Sequence, residues 1–581
     1  MLTGGGAMHL NDSILKEKRL HYICNHHEQA SAMAAEGYSR ITGKLGVVNV
    51  TSGPGGINAL NGVFGAWTDA IPMLVISGQI KRETCMATYD IPGLRQLGDQ
   101  EGDIIGMARG ITKYAVLMDD PLTIRYHLEK AIYLAQQSPP GPCWLDIPMD
   151  VQASMVDENG LKGYNSQEDS PVWDLERLHE LCRKILEKIT TAKRPVIMAG
   201  TGIRLAHALD IFYRVINRLR IPVTTAWTHD IIASDDPLFC GRPGTIGTRA
   251  GNFTVQNADL LLILGARLNV RQVSYNWQSF AREAFKIQID ADSAELKRPM
   301  AKVDMPVHCD ARLFLEELDR QMDQSDYDKN KHQIWLTWCR ERVLKYPVVL
   351  ERHREFNGKI NPYHFIETLF NRLAADDVVV CANATACIVP FQAAFLKKGQ
   401  RLFSNSGSAS MGYDLPAAIG AAIAREGKRV ICLAGDGSMQ LNIQELQTIA
   451  HHQLPIKIFI LNNSGYLSIR LTQRNFFGSF IGESHVSGTS FPDVVKIAGA
   501  YGLPGYRIEA ADFVDTIDEI LAQDGPVLCD VILDPEQAFE PKTSSKQLPD
   551  GRIVSAPLED MYPFLDREEL LENLWITPIE N

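Results

Sequence analysis

The sequence predicts an α/β protein built from three consecutive doubly wound parallel-sheet domains, and three observations carry that expectation. Short β-branched runs alternate with helical stretches along nearly the whole chain, the pattern of parallel βαβ units. The 581 residues correspond to about three domains at roughly 100 to 200 residues each. No repeat of about 20 to 50 residues points instead to a solenoid.

The elements follow in order. In a first unit, 1–155, residues 45–50, 73–77 and 143–147 read as strands, the last entered through the turn Pro139-Pro140-Gly141-Pro142. Residues 156–173 are polar and aperiodic and read as a linker. A central unit, 175–325, carries strands at 195–198, 260–264 and 286–289, each followed by Gly or Asp and then polar residues. The charged stretch 319–331 reads either as a solvated helix end or as a second linker. A third unit, 361–545, carries strands at 378–381, 429–434, 456–461 and 527–533, and 546–581 form a C-terminal tail.

Composition narrows the function. Lys plus Arg number 58 against 70 Asp plus Glu, a net charge of −12 with no long basic run, so a nucleic-acid or anionic-membrane role lacks its electrostatic footprint. With 45% apolar and 22% charged residues the chain can bury large cores. The longest uncharged apolar stretch, 378–396, holds Asn383, Thr385, Pro390 and Gln392, which argues against a membrane span. The first 13 residues lack the basic and apolar regions of a secretory signal. Eleven cysteines without metal-type spacing read as free thiols of a cytoplasmic protein.

The residues that carry chemistry begin with Gly435-Asp436-Gly437-Ser438, directly after the strand 429–434, and Asn462-Asn463, ending the strand 456–461. The interval between them holds one loop, one helix at about 443–451 and one returning strand, a βαβ unit whose strand ends lie side by side. That brings the Asp436 carboxylate and the Asn463 amide oxygen to one crevice at the carboxyl edge of the sheet. Hard oxygen ligands of this kind suit Mg²⁺, which prefers a few protein oxygens plus phosphates. Gly435 and Gly437 let backbone amides approach a diphosphate. Either dipeptide alone is an ordinary turn; the pair at two neighbouring strand ends is more specific.

On these residues the chain resembles the thiamine diphosphate enzymes, and acetolactate synthases in particular. The first unit agrees independently, with His27-Glu28-Gln29, the run Ala34 to Arg40, Thr51-Ser52-Gly53-Pro54-Gly55-Gly56 and Asn58. Ser77-Gly78-Gln79, Gln100-Glu101, the stretch 407–422 and Asn462 to Tyr466 extend the likeness over nearly the whole chain. The resemblance implies a pyrimidine-binding first domain, a central Rossmann-like domain and a diphosphate-binding third domain. It implies that Glu28 is the glutamate that protonates the aminopyrimidine ring of the cofactor, for which it should be desolvated with its pKa raised. Gly53, Pro54, Asn58, Met411, Gly435, Gly437, Ser438, Gly465 and Tyr466 would hold the cofactor. Met411 would sit under it and force its two rings together, although it could equally be a gap-filling core residue. Asp436, Asn463 and the carbonyl of Gly465 would hold Mg²⁺. Gln100 could orient the donor adduct or be an exposed loop residue. Each site would be shared between subunits, which implies a homodimer or homotetramer.

In the central unit, Gly200-Thr201-Gly202, Gly265-Ala266-Arg267 and Asp290 follow strands. The third glycine of the dinucleotide fingerprint is absent, Leu205 standing in its place, which weakens a nicotinamide-dependent oxidoreductase. With 241–252 these segments resemble the region in which acetolactate synthases hold FAD, through Gly200, Gly202, Gly265, Arg267 and Asp290; an empty structural relic is the alternative.

The implied activity is a carboligase that decarboxylates pyruvate and passes the acyl unit to a carbonyl acceptor. The family usually carries Lys at Met149 and GMVxQW where this chain has Leu467 to Thr472, so Thr472 stands in place of a pocket-lining Trp. The run Ser468 to Gly478 is similar to a branch acting in surface-sugar pathways, which makes acyl transfer to a keto-sugar nucleotide the alternative. The helix and strand that usually precede the Gly4-Gly5-Gly6-Ala7 turn are not found, so either the start is shorter or the sheet edge is filled otherwise. The tail from Pro541 resembles one that folds over the site or forms a mobile end.

Overall fold

The computed structural model describes residues 1–89, 91–226, 230–547 and 552–579. It contains three parallel sheets in chain order. The first has four strands, β1 (Gly46–Val50), β2 (Met73–Gln79), β3 (Tyr114–Leu117) and β4 (Pro142–Pro148), in the order β1-β2-β4-β3. The second has five, β5 (Pro195–Ala199), β6 (Val223–Thr225), β7 (Leu260–Leu264), β8 (Phe285–Asp290) and β9 (Met305–His308), in the order β6-β5-β7-β8-β9. The third has six, β10 (Val378–Cys381), β11 (Arg401–Phe403), β12 (Val430–Gly435), β13 (Ile456–Asn462), β14 (Gly505–Ile508) and β15 (Val527–Ile532), in the order β11-β10-β12-β13-β15-β14. Every pairing in these sheets is parallel.

The strands form because their runs bury on both faces: all seven residues of β4 and all five of β7 are buried, as parallel strands covered by helices require. The expected strands lie within or close to the observed ones. The sequence reading passed over β3, β6, β9, β11 and β14. All five are edge strands of their sheets and only three or four residues long, too short to stand out as strands in the sequence. The stretch 378–396 is strand β10 followed by the buried helix Thr385–Ala393. Among the described residues no helix is long and apolar enough to cross a membrane.

The first and third units pack through the helices Glu28–Thr42 and Asp414–Ala424. A side chain at Gly37 would meet the Ala417 carbonyl oxygen at 2.3 Å, and one at Gly420 the Ala34 carbonyl oxygen at 1.9 Å. The two backbones therefore approach closely only because both positions are glycine. The described residues 558–563 are tied to the central unit: Arg249 donates to the carbonyls of Met561 and Pro563, Asn252 Nδ2 to Leu558 O at 2.8 Å, and Gln256 Nε2 to Glu559 Oε2 at 2.6 Å. The tail thus lies on the central unit, and Trp575 packs against Trp335 and Trp338.

Candidate active site

The diphosphate side is built at the carboxyl ends of β12 and β13, which are adjacent, with Gly435 opposite Leu461. Asp436 leaves β12 and its two oxygens accept from Gly437 N at 3.0 Å and Gly465 N at 2.8 Å. Burial holds its pKa up at about 6 against these two bonds, which pull it down. Asn463 is buried; its Nδ2 donates to Thr385 Oγ1 at 3.0 Å, while its Oδ1 has no partner. A buried carboxylate short of charge compensation beside an orphaned amide oxygen fits a hard divalent cation. One carboxylate suffices for such a site, in keeping with the absence, among the described residues, of any group of three His, Cys, Asp or Glu that could hold a metal.

Gly465, at φ +141°, has no room for a side chain, since a Cβ would lie 2.2 Å from Glu483 O. The loop behind it is locked by buried Arg470, whose Nε donates to Glu483 Oε2 at 2.7 Å and whose other nitrogens reach the carbonyls of Asn463, Ser464 and Pro535. The Tyr466 ring abuts the turn, so that a Cβ on Gly437 would clash with it at 2.1 Å. Ser438 ties the turn to the loop carrying Met411: its Oγ accepts from Gly412 N at 2.9 Å and donates to buried Asp414. Asn442 Nδ2 donates to Gly412 O at 2.7 Å, so half-buried Met411 is presented by a clamped backbone.

Glu28 opens the helix Glu28–Thr42 and is 7% exposed. Its Oε2 accepts from Asn58 Nδ2 at 3.0 Å, and its Oε1 lies 3.4 Å from where a Cβ on Gly55 would stand. Gly53 caps the next helix at φ +55°, and a Cβ there would meet Gln100 O at 2.2 Å. Glu28, Gly53, Pro54, Asn58 and Gln100 are thereby one cluster. Gln100 itself is exposed, at φ +63°. Among the described residues no hydrogen bond or ion pair joins Glu28, Asn58 or Gln100 to Asp436, Asn463 or Gly465.

Sequence reasoning missed several supporting groups. Glu445, fully buried, accepts from Asn25 Nδ2 at 3.0 Å and His26 N at 2.9 Å and so holds the segment that leads into Glu28. Asp146, at the end of β4, accepts from Ser77 Oγ at 2.5 Å and Gln79 Nε2 at 2.9 Å. Its Asp-Ile-Pro context at a strand end was visible, but not its partners. Thr472 is exposed and its hydroxyl donates to Ser468 O of its own helix, Leu467–Phe476.

A cavity of about 700 Å³ lies where the three units meet. Gly200, Gly202, Gly265, Arg267 and Asp290 all line it, with Trp67 from the first unit and Phe403 from the third. The glycines allow the ends of β5 and β7 to touch: a Cβ on Gly202 would lie 2.6 Å from Gly265 Cα. Burial raises the Asp290 pKa to about 6. Size and polar strand ends suit a dinucleotide.

The family models of the thiamine pyrophosphate enzymes match residues 1–102 with their N-terminal TPP binding domain, 182–318 with their central domain and 385–531 with their C-terminal TPP binding domain. The acetolactate synthase large subunit of Cyanidium caldarium is 31% identical over 543 residues, spanning 91% of this chain and 89% of that protein. Isozyme 2 of the large subunit from Escherichia coli K12 is also 31% identical, over 91% and 92% of the two chains. The chloroplastic acetolactate synthase of Arabidopsis thaliana is 30% identical over 91% of this chain and 78% of that protein.

Proposed function

From the premise that the chain belongs to the thiamine diphosphate enzymes of the acetolactate synthase type, we propose that it decarboxylates pyruvate and ligates the acyl unit to a carbonyl acceptor. Thiamine diphosphate dependence and carboligation are the family's chemistry and are this chain's too; the donor, the cation, the flavin and the assembly are the proposed part. The observation that carries the reading is the orphaned Asn463 Oδ1 beside buried Asp436 at the ends of two adjacent strands.

Bound thiamine diphosphate supplies an electron sink for breaking the bond to a carboxylate. Asp436, Asn463 Oδ1 and the Gly465 carbonyl would hold Mg²⁺, and a dication would keep Asp436 ionised despite its burial. Gly435, Gly437 and Ser438 present the diphosphate turn, with the Tyr466 ring packed on Gly437. Glu28 Oε2 is oriented by Asn58, leaving Oε1 to hold the proton shared with the aminopyrimidine nitrogen. Met411 shapes the cofactor from its clamped loop, and the Gln100 loop borders the Glu28 cluster for the donor.

The family resemblance supports a dimer in which each complete site takes Glu28 from one copy and Asp436 from the other. The size and lining of the three-unit cavity support FAD there, where it would serve structure, since ligation of pyruvate passes no electrons to an external acceptor. The eleven free cysteines, ten of them buried, support a cytoplasmic location.

Incubation with thiamine diphosphate, Mg²⁺ and pyruvate should release CO₂ and form acetolactate. Glu28→Gln should keep the fold and cut turnover by about 10² to 10⁴, the usual weight of a positioned proton-transfer group. Wild-type protein that leaves pyruvate untouched would remove the donor assignment. A Glu28→Gln variant with near wild-type decarboxylation would remove that of Glu28.

A further inference from the structure

Arg242 is a buried cation whose chemistry the site above leaves unexplained. It is 5% exposed, yet its guanidinium makes a single hydrogen bond, from Nη2 to Ser234 Oγ at 3.1 Å. Its Nε is buried with no partner, and among the described residues no carboxylate pairs with it. The Phe239 ring, 5.2 Å from the guanidinium carbon, offers only partial compensation. Burial lowers its pKa only to about 10, so the cation persists at neutral pH. A buried charge without a counter-charge is costly enough that folds pair it or neutralise it.

The backbone leaves this side chain little freedom. Arg242 N donates to Thr248 Oγ1 at 3.1 Å and Arg242 O accepts from Thr248 N at 2.7 Å, while Gly244 N donates to Asn252 Oδ1 at 2.8 Å. Its Ser234 partner bridges units, accepting from Leu396 N at 2.9 Å. Arg242 lines a crevice of about 10 Å³ with Gly244, Ile246, Ala226 and Phe391. Ala226 and Phe391 also line the 700 Å³ cavity, so the crevice adjoins it. A space of that size admits one oxygen-sized group. Free phosphate would not fit, but one oxygen of an anion lying in the cavity would.

We propose that Arg242 is the cationic anchor of an anion subsite, filled by a phosphate oxygen of the nucleotide that occupies the three-unit cavity. The proposal rests on the dinucleotide reading of that cavity for the ligand's identity, and on the unpaired guanidinium for its charge.

The test compares the wild type with Arg242→Met and Arg242→Lys, using FAD, riboflavin, ADP and inorganic pyrophosphate as probes in binding titrations and thermal melts. Ligand-free Arg242→Met should melt no lower than the wild type, since it loses an unpaired buried charge. Its FAD affinity should fall tenfold or more, with Arg242→Lys between, while riboflavin, lacking phosphate, should not tell the three proteins apart. Equal FAD affinity in wild type and Arg242→Met overturns the proposal. So does a ligand-free Arg242→Met that melts several degrees lower, which would make the arginine structural. If the wild type takes no FAD, stabilisation by ADP or pyrophosphate that Arg242→Met lacks keeps the subsite and removes the flavin. No stabilisation of the wild type by any of them overturns the subsite.

Discussion

Asp146 shows how much a single buried group sets the behaviour of its neighbours. At 1% exposed it accepts from Ser77 and Gln79, and Gln79 Nε2 also donates to Gly102 O at 3.0 Å, beside the loop that carries Gln100. Burial lifts its pKa from 3.8 to about 7, outweighing the two bonds that favour the charge, and Asp103 adds to the rise. The native state thus binds more protons than the unfolded chain between about pH 4 and 7. This contribution to stability is full below the unfolded pKa and is lost as pH rises through about 7. Asp146→Asn, which cannot titrate, should therefore show a flatter dependence of melting temperature on pH between 4 and 8 than the wild type, whatever constant offset the amide introduces. Parallel profiles for the two proteins would show that Asp146 does not titrate in this range. Asp146 falls within the run 143–147 that reads as a strand, but its pKa also depends on Ser77 and Gln79, about seventy positions away.

Among the elements, the pair of helices Glu28–Thr42 and Asp414–Ala424 fixes the third unit against the first. Gly37 was visible as part of the family pattern, but its reason was not. It becomes clear only when the Ala417 carbonyl is seen 2.3 Å from the place of a missing Cβ. Gly420→Ala should overpack this contact against the Ala34 backbone and cost about 1 to 3 kcal/mol, the usual range for an added methyl in a tight interior. Because the first helix begins at Glu28 and the second follows the Met411 loop, thiamine diphosphate affinity should fall as well. Calorimetry and cofactor titration check both effects; an unchanged melting temperature would mean that the helices separate without penalty. The central strands were legible for the opposite reason: their burial on both faces writes continuous apolar runs into the sequence, as at β7, whereas a short, partly exposed edge strand such as β14 leaves none.

At the scale of the whole molecule, the three units meet around Asp69, a position no local pattern singled out. Its Oδ2 accepts from Arg40 Nη2 at 2.6 Å within the first unit, and its Oδ1 accepts from Gly407 N of the third unit at 3.1 Å. Arg267 of the central unit lies 3.5 Å from the same Oδ1 and also donates to Thr68 O. Arg40 in turn pairs with fully buried Glu36, whose surroundings include Tyr413, two residues past Met411. These partners are separated by up to 338 positions, so the junction is a property of the assembled fold and not of any segment. Arg40, Asp69 and Arg267 all line the cavity, and Gly407 belongs to the loop that presents Met411. One carboxylate therefore links the walls of the cavity to the cofactor loop. Asp69→Asn keeps the shape but removes the charge shared by Arg40 and Arg267, and breaking a buried pair in this way costs about 3 to 5 kcal/mol. The variant should melt lower, and hydrogen exchange should quicken at 405–412 and at the end of β7 together, because both lose the same anchor. A loss of protection confined to the first unit would mean that Asp69 serves only Arg40 and that the three units are held together elsewhere.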